Sequence, residues 1–167
     1  MSFQDSLKKL KASKEFKKFK NKFKNSFLFS AFFILGPSLE IETQQFDYFL
    51  TKKKAATFTV NDKIELKTDN FNPKDKVTAL DENIEIDIDK LKEIIKKEIT
   101  KRNLIDFDIN KIIMILQKID GKQLWNITCM LSSLKLLKLH VDCFNGKVLK
   151  NEEANVFDFL QIKSNKK

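Results

Sequence analysis

Arginine, histidine and glycine are almost missing from this chain, and each shortage closes off a class of chemistry. Among 167 residues there is one arginine, Arg102, one histidine, His140, and three glycines, Gly36, Gly121 and Gly146. Isolated glycines cannot build a phosphate-cradling loop, which needs several close together. A lone imidazole leaves nucleophilic catalysis without an obvious partner. Strand parity groups His140 with Lys138 and Asp142 on a polar face and puts Cys143 on the opposite one. Readers of phosphates and base edges lean on arginine's planar fork of donors, which one arginine does not provide.

Cysteine is scarce as well. Cys129 and Cys143 are the only thiols, which fits a reducing, cytoplasmic setting. A two-residue turn at Ser132-Ser133 would set Cys129 opposite Leu136 and Cys143 opposite Lys122. The thiols then lie roughly 20 Å apart along the ladder, against about 5.5–6 Å between the Cα atoms of a disulfide. Two buried, inert thiols are expected, with no zinc site and no other metal or cofactor. Asp106, Asp108 and Asn110 begin like an EF-hand loop, but Lys111 and Gln117 stand where that loop needs glycine and glutamate. The apolar run at 27–35 is about half the ~20 residues that a bilayer requires. No small-x-small cleavage site follows it before Glu40, so a buried strand is expected there rather than a leader.

What the chain has is lysine and phenylalanine. Lysine and arginine total 32 against 23 acids, for a net charge of +9, and there are 16 phenylalanines. A chain of this length can bury roughly 70% of its unfolded surface, so it needs no staple. The charge favours an anionic partner, although a composition rich in Lys, Asn, Ile and Phe also follows from AT-rich coding.

Periodicity predicts a helix over 2–24 with the stripe Phe3, Leu7, Leu10, Phe16, Phe19 and Phe23, its start capped by Ser2 and Asp5. Lys8, Lys11, Lys14, Lys17, Lys18 and Lys22 fall on its other faces and form a candidate anion-binding face. Strands are expected at 27–35, 39–50, around Phe58 and Val60, and at Ile64 and Leu66, with a connection over 69–82. A second helix starts at Asp87 or Asp89, carries Leu91, Ile94, Ile95 and Ile99, and ends near Asn103. Strand 112–119 is apolar on both faces and therefore central. Asp120-Gly121 turns the chain into 123–131, which leads to 134–143, and Asn145-Gly146 turns it into 147–149. Glu152 and Glu153 suit a solvated turn. Val156, Phe157 and Leu160 are expected to dock, and Ser164 to Lys167 to fray.

The order is helix then four strands, twice. This predicts an α+β protein of two tandem αββββ units, residues 1–68 and 87–163, joined by 69–86 and ending in a tail at 164–167. The second half, with Asp120-Gly121-Lys122, Leu124-Trp125-Asn126-Ile127, Leu139-His140-Val141-Asp142 and Asn145-Gly146-Lys147-Val148-Leu149, resembles a PepSY-type domain. The whole chain, with its Phe-rich helix, its Phe-Phe-Ile-Leu strand and its Trp125 hairpin, also resembles small uncharacterised proteins of the DPANN archaea. The PepSY resemblance implies binding rather than catalysis, through a sheet face or edge, to a protein or peptide. No enzyme activity and no small-molecule substrate are expected. The alternative is nucleic-acid binding, ribosome-associated, through the Lys-rich helix. A membrane surface ranks behind both, because one apolar stripe cannot face lipid and sheet together.

Overall fold

The computed structural model describes residues 2–51 and 53–157. Helix α1 (Phe3–Ala12) opens on a capping box: the Ser2 hydroxyl accepts the Asp5 N–H and the Asp5 carboxylate accepts the Ser2 N–H. Both satisfy donors that a helix start leaves bare. Helix α2 (Lys14–Lys22) follows directly, so the single helix expected over 2–24 is two. Ser13 (φ −73°, ψ 153°) is the joint. Its hydroxyl donates to the Leu10 carbonyl at 2.6 Å and accepts the Phe16 N–H at 3.1 Å.

The spacing from Leu10 to Phe16 explains the break. At about 100° per residue, a straight helix would carry Phe16, Phe19 and Phe23 on the side opposite Phe3, Leu7 and Leu10. Breaking the helix at Ser13 turns both stripes onto the sheet. Phe3 then meets Phe46 (ring centroids 5.9 Å apart) and Trp125 (6.3 Å), while Phe19 meets Phe58 (5.0 Å).

The remaining elements are β1 (Phe27–Leu35), β2 (Ile41–Thr51), β3 (Lys54–Val60), β4 (Ile64–Asn70), α3 (Ile88–Lys101), β5 (Ile109–Ile119), β6 (Lys122–Leu131), β7 (Lys135–Asp142) and β8 (Val148–Asn155). The strands form one antiparallel sheet in the order β4-β3-β2-β1-β5-β6-β7-β8. The early and late strands share this sheet because β1 and β5 pair, with Phe33 opposite Met114. The fold is α+β, with three helices and eight strands among the described residues. The apolar run of β5 is central, as its two-sided pattern requires. Leu39, expected in a strand, lies instead in the turn before β2 with φ 62°.

Buried residues alternate along the strands, and one parity belongs to a single core with the helices: Phe33 and Phe46 with Phe3, Met114 and Trp125 with Leu91 and Ile95. Trp125 is fully buried, and its Nε1–H donates to the Ile86 carbonyl at 2.8 Å, which gives the indole's polar edge the partner it needs. Asp120 (φ 51°) and Gly121 (φ 77°) make the tight β5–β6 turn. Gly146 (φ 77°) lets the β7–β8 turn approach the start of α3 and the segment before it, since a Cβ there would lie 3.1 Å from Ile86 Cδ1 and 3.7 Å from Ile94 Cδ1.

Three local expectations are corrected. Residues 132–134 form a three-residue turn with Ser133 and Leu134 at positive φ. The register therefore slips by one: Cys129 faces Leu137, not Leu136, and the Cys143 thiol meets the Gln123 carbonyl at 3.4 Å rather than Lys122. Glu152 and Glu153 lie inside β8, where Glu153 pairs with Arg102 (3.1 Å) and Lys135 (3.6 Å). Phe157 is 56% exposed and does not dock. Leu160 and the tail from Ser164 to Lys167 lie outside the described residues.

Candidate binding surfaces

The six candidate lysines are all exposed, but the break at Ser13 divides them. Lys8 and Lys11 stand on α1; Lys14, Lys17, Lys18 and Lys22 stand on α2. Lys11 forms an ion pair with Glu82. Lys22 sits 5.4 Å from the centre of the Phe23 ring. Asp5 is held below the usual carboxylate range by its hydrogen bonds with Ser2, with Lys8 adding to the effect. Among the described residues, Lys14, Lys17 and Lys18 have no acidic side chain within ion-pair distance. Phe16 and Phe19 are buried and offer no exposed stacking platform.

Among the described residues, helices lie on one side of the sheet only; on the other, Phe71 packs over Phe29 and Phe49 at one end (ring centroids 5.1 and 6.2 Å away). On that other face a cross-strand row runs Glu65, Thr59, Gln45, Phe32, Ile115, Asn126, His140, Lys150. It passes from Glu65 at one edge to Lys150 at the other through an apolar centre. Phe32, Ile34, Ile113 and Ile115 form that centre and are half-buried.

The titratable groups do not converge. His140 faces Asn126 on β6 and Lys150 on β8. Partial burial, followed by the charge of Lys150, holds its imidazole below its ordinary pKa. Asp142 is pushed up by burial but ends below the carboxylate range, because the Phe144 and Asn145 N–H groups donate to it at 2.8 and 3.2 Å and Lys122 lies nearby. Burial raises the Cys129 thiol to about 12 and the Cys143 thiol to about 11. Both are free, and neither is a thiolate at neutral pH. Among the described residues, no group of three His, Cys, Asp or Glu could hold a metal ion, and no helix is long and apolar enough to cross a membrane. Asp106 and Asp108 sit in the turn before β5, where the Asp108 N–H bonds to the Ser132 hydroxyl at 3.0 Å.

A groove that sequence reasoning did not single out lies between α2 and the β2–β4 corner. Its floor is Leu50 and Leu66, its wall Phe19 and Phe23, and its rim Lys18, Lys22 and Lys54, around a volume of about 520 Å³. One signal was available. Glu65, Lys67 and Asp69 alternate in β4, a charge pattern typical of edge strands. The elements that meet there are too far apart in sequence for spacing to reveal the groove.

No family model matches the chain, and no curated protein does. Among solved structures, the crystal structure of a candidate lipoprotein from Clostridium difficile 630 is similar, with a TM-score of 0.58 and 17% sequence identity. The match covers 84% of this chain and 90% of that one. At that identity the likeness is one of fold.

Proposed function

We propose that this protein is a non-catalytic interaction module that binds a protein or peptide partner through the uncovered face or an edge of its sheet. The observation that carries the reading is the one-sided sheet. Eight strands are covered by helices on one face, while the other presents Phe32, Ile34, Ile113 and Ile115 ringed by Thr, Gln and Asn side chains. An apolar centre inside a polar rim is the anatomy of a protein-binding surface. The order of elements supports reading the fold as two tandem, PepSY-like units: α1 and α2 precede β1–β4, α3 precedes β5–β8, and the two sets meet antiparallel at β1 and β5. The two unpaired thiols support a cytoplasmic setting. The second reading, non-specific nucleic-acid binding, has Lys14, Lys17 and Lys18 in its favour.

Capture of partners by the tagged chain, with and without nuclease, separates the two. The reading expects protein partners that survive nuclease, and a nucleic-acid affinity that is weak at physiological salt. Capture that nuclease abolishes, together with an RNA affinity falling steeply with salt and lost in Lys14→Glu/Lys17→Glu/Lys18→Glu, would sink it in favour of the second.

A further inference from the structure

The outer side of β4 is a strand edge, and it borders the groove beneath α2. At one end of the β3–β4 pair, Val60 faces Ile64 and the Asn61 N–H donates to the Lys63 carbonyl at 3.1 Å. At the other end, Lys54 faces Asn70 and the Phe71 N–H donates to the Lys53 carbonyl at 2.8 Å. Both ends fix the same alternation. Glu65, Lys67 and Asp69 direct their backbone groups at β3, while Leu66 and Thr68 point theirs out of the sheet.

Side chains alternate in step. Glu65, Lys67 and Asp69 stand on the uncovered face beside Thr59, Thr57 and Ala55, and Leu66 and Thr68 stand in the groove. Leu66 is 43% exposed, so, among the described residues, an apolar side chain and unpaired amides share one edge. The opposite edge differs. On β8, Asn151 and Glu153 are held by Arg102 at the end of α3.

We propose that the β4 edge and the α2 groove take an extended acidic segment of a protein partner, added to the sheet as a further strand. Its backbone pairs with Leu66 and Thr68. Its inward apolar side chains fill the hollow between Phe19, Phe23 and Leu50, and its carboxylates meet Lys18, Lys22 and Lys54. Three lysines against Glu15 set the sign of the partner. The strand edge selects a polypeptide, because lipid and nucleic acid lack the alternating N–H and C=O groups that complete a ladder. The mixed charges on the other face of β4 oppose pairing of two copies, and so does a net charge of +9. The inference rests on the protein-partner reading and names its site.

The test is titration of the 15N-labelled full chain with a capped octapeptide of alternating Glu and Val, with the Lys–Val counterpart as control. Amide shifts centred on Leu66 and Thr68 are expected, with hydrogen exchange slowed at both and no response to the Lys–Val peptide. Thr68→Pro removes only an outward N–H, which edge strands tolerate, and should weaken the peptide about tenfold or more. Lys18→Glu/Lys22→Glu should do the same; circular dichroism and thermal melting check that each variant is folded.

Shifts on the uncovered face, equal response to both peptides, or undiminished binding by folded Thr68→Pro and Leu66→Lys would overturn the proposal. So would shifts at this groove produced by phosphatidylglycerol vesicles or oligouridine and not by the peptide. A protein partner captured equally by wild type and Leu66→Lys rejects this site and leaves the broader reading standing, whereas capture of no protein by either rejects that reading too.

Discussion

The Asp87 carboxylate accepts the backbone N–H of Phe3 at 2.8 Å, although 84 positions separate them. The same carboxylate accepts the N–H of Gln4 at 3.2 Å and of Ile88 at 2.7 Å. One acidic side chain therefore caps α1 and α3 together, at the point where two positive helix ends converge. This ties the amino terminus to the start of the second half of the chain.

Asp87→Ala should consequently cost more than the loss of one ordinary cap. A single cap contributes about 0.5–2 kcal/mol; here α3 loses its cap, and α1, which keeps its Ser2 cap, loses the acceptor of its Phe3 and Gln4 amides. Urea unfolding should show a loss of about 1–3 kcal/mol, with Asp87→Asn recovering part of it. A loss under about 0.5 kcal/mol would mean that water satisfies those amides equally well.

Ser13→Ala tests the helix break. Alanine is the better helix former, so a continuous helix would gain from this change. In the structure it removes the hydroxyl that serves both Leu10 and Phe16. We expect a loss of about 1 kcal/mol in chemical denaturation. A gain would show that the stripes do not need the break.

Much of the fold was legible because local chemistry and tertiary need agree. The α3 stripe, the alternation of Leu137, Leu139 and Val141 with Lys138 and His140, and a glycine at each of three turns all pointed to the elements found. What was missed has physical causes. Around Ser13, two good stripes follow one another, and only their phase, not their spacing, separates them. At 132–134, Ser133 and Leu134 adopt positive φ without glycine, so the turn looked a residue shorter. Along β8, Lys150, Asn151, Glu152 and Glu153 leave an edge strand with no apolar alternation to see. The lysine face was legible as exposed, but the Lys11–Glu82 pair and the α2 groove depend on residues distant in sequence.

Tyr48 offers a test of sign. Its hydroxyl is buried without a hydrogen-bond partner among the described residues, and burial, followed by the charge of Glu82, holds its pKa above the ordinary value. An unsatisfied buried hydroxyl costs about 1–3 kcal/mol. Tyr48→Phe should therefore leave stability unchanged or raise it by up to about 1 kcal/mol, with the ring contacts to Phe16, Phe19 and Phe58 kept. A clear loss in the denaturation midpoint would mean that the hydroxyl has a partner in solution.

Trp125→Phe should act in the opposite direction. It leaves the Ile86 carbonyl without its 2.8 Å donor and opens space beside Phe3 and Phe33. The orphaned carbonyl and the cavity together should cost about 2–4 kcal/mol. Hydrogen exchange should quicken along 84–88 ahead of the strands; uniform quickening would mean that Ile86 is not the point released.

The thiols make stability depend on alkaline pH. In the unfolded chain both cysteines ionise near pH 8.5, while in the fold burial delays Cys143 to about 11 and Cys129 to about 12. A group whose folded pKa is raised contributes its stability fully below the unfolded pKa. Above that pH the unfolded state sheds protons first and gains ground. The contribution should therefore be flat up to about pH 8, then decline from about pH 8.5 through pH 11 to 12 as each folded thiol begins to ionise. Guanidinium midpoints at pH 7 and pH 10 for wild type and Cys129→Ala/Cys143→Ala measure it. The wild type should lose more stability over that interval than the variant, and native thiols should resist iodoacetamide at pH 8. Equal losses, or rapid labelling, would show that these sulfurs are not shielded as the core packing requires.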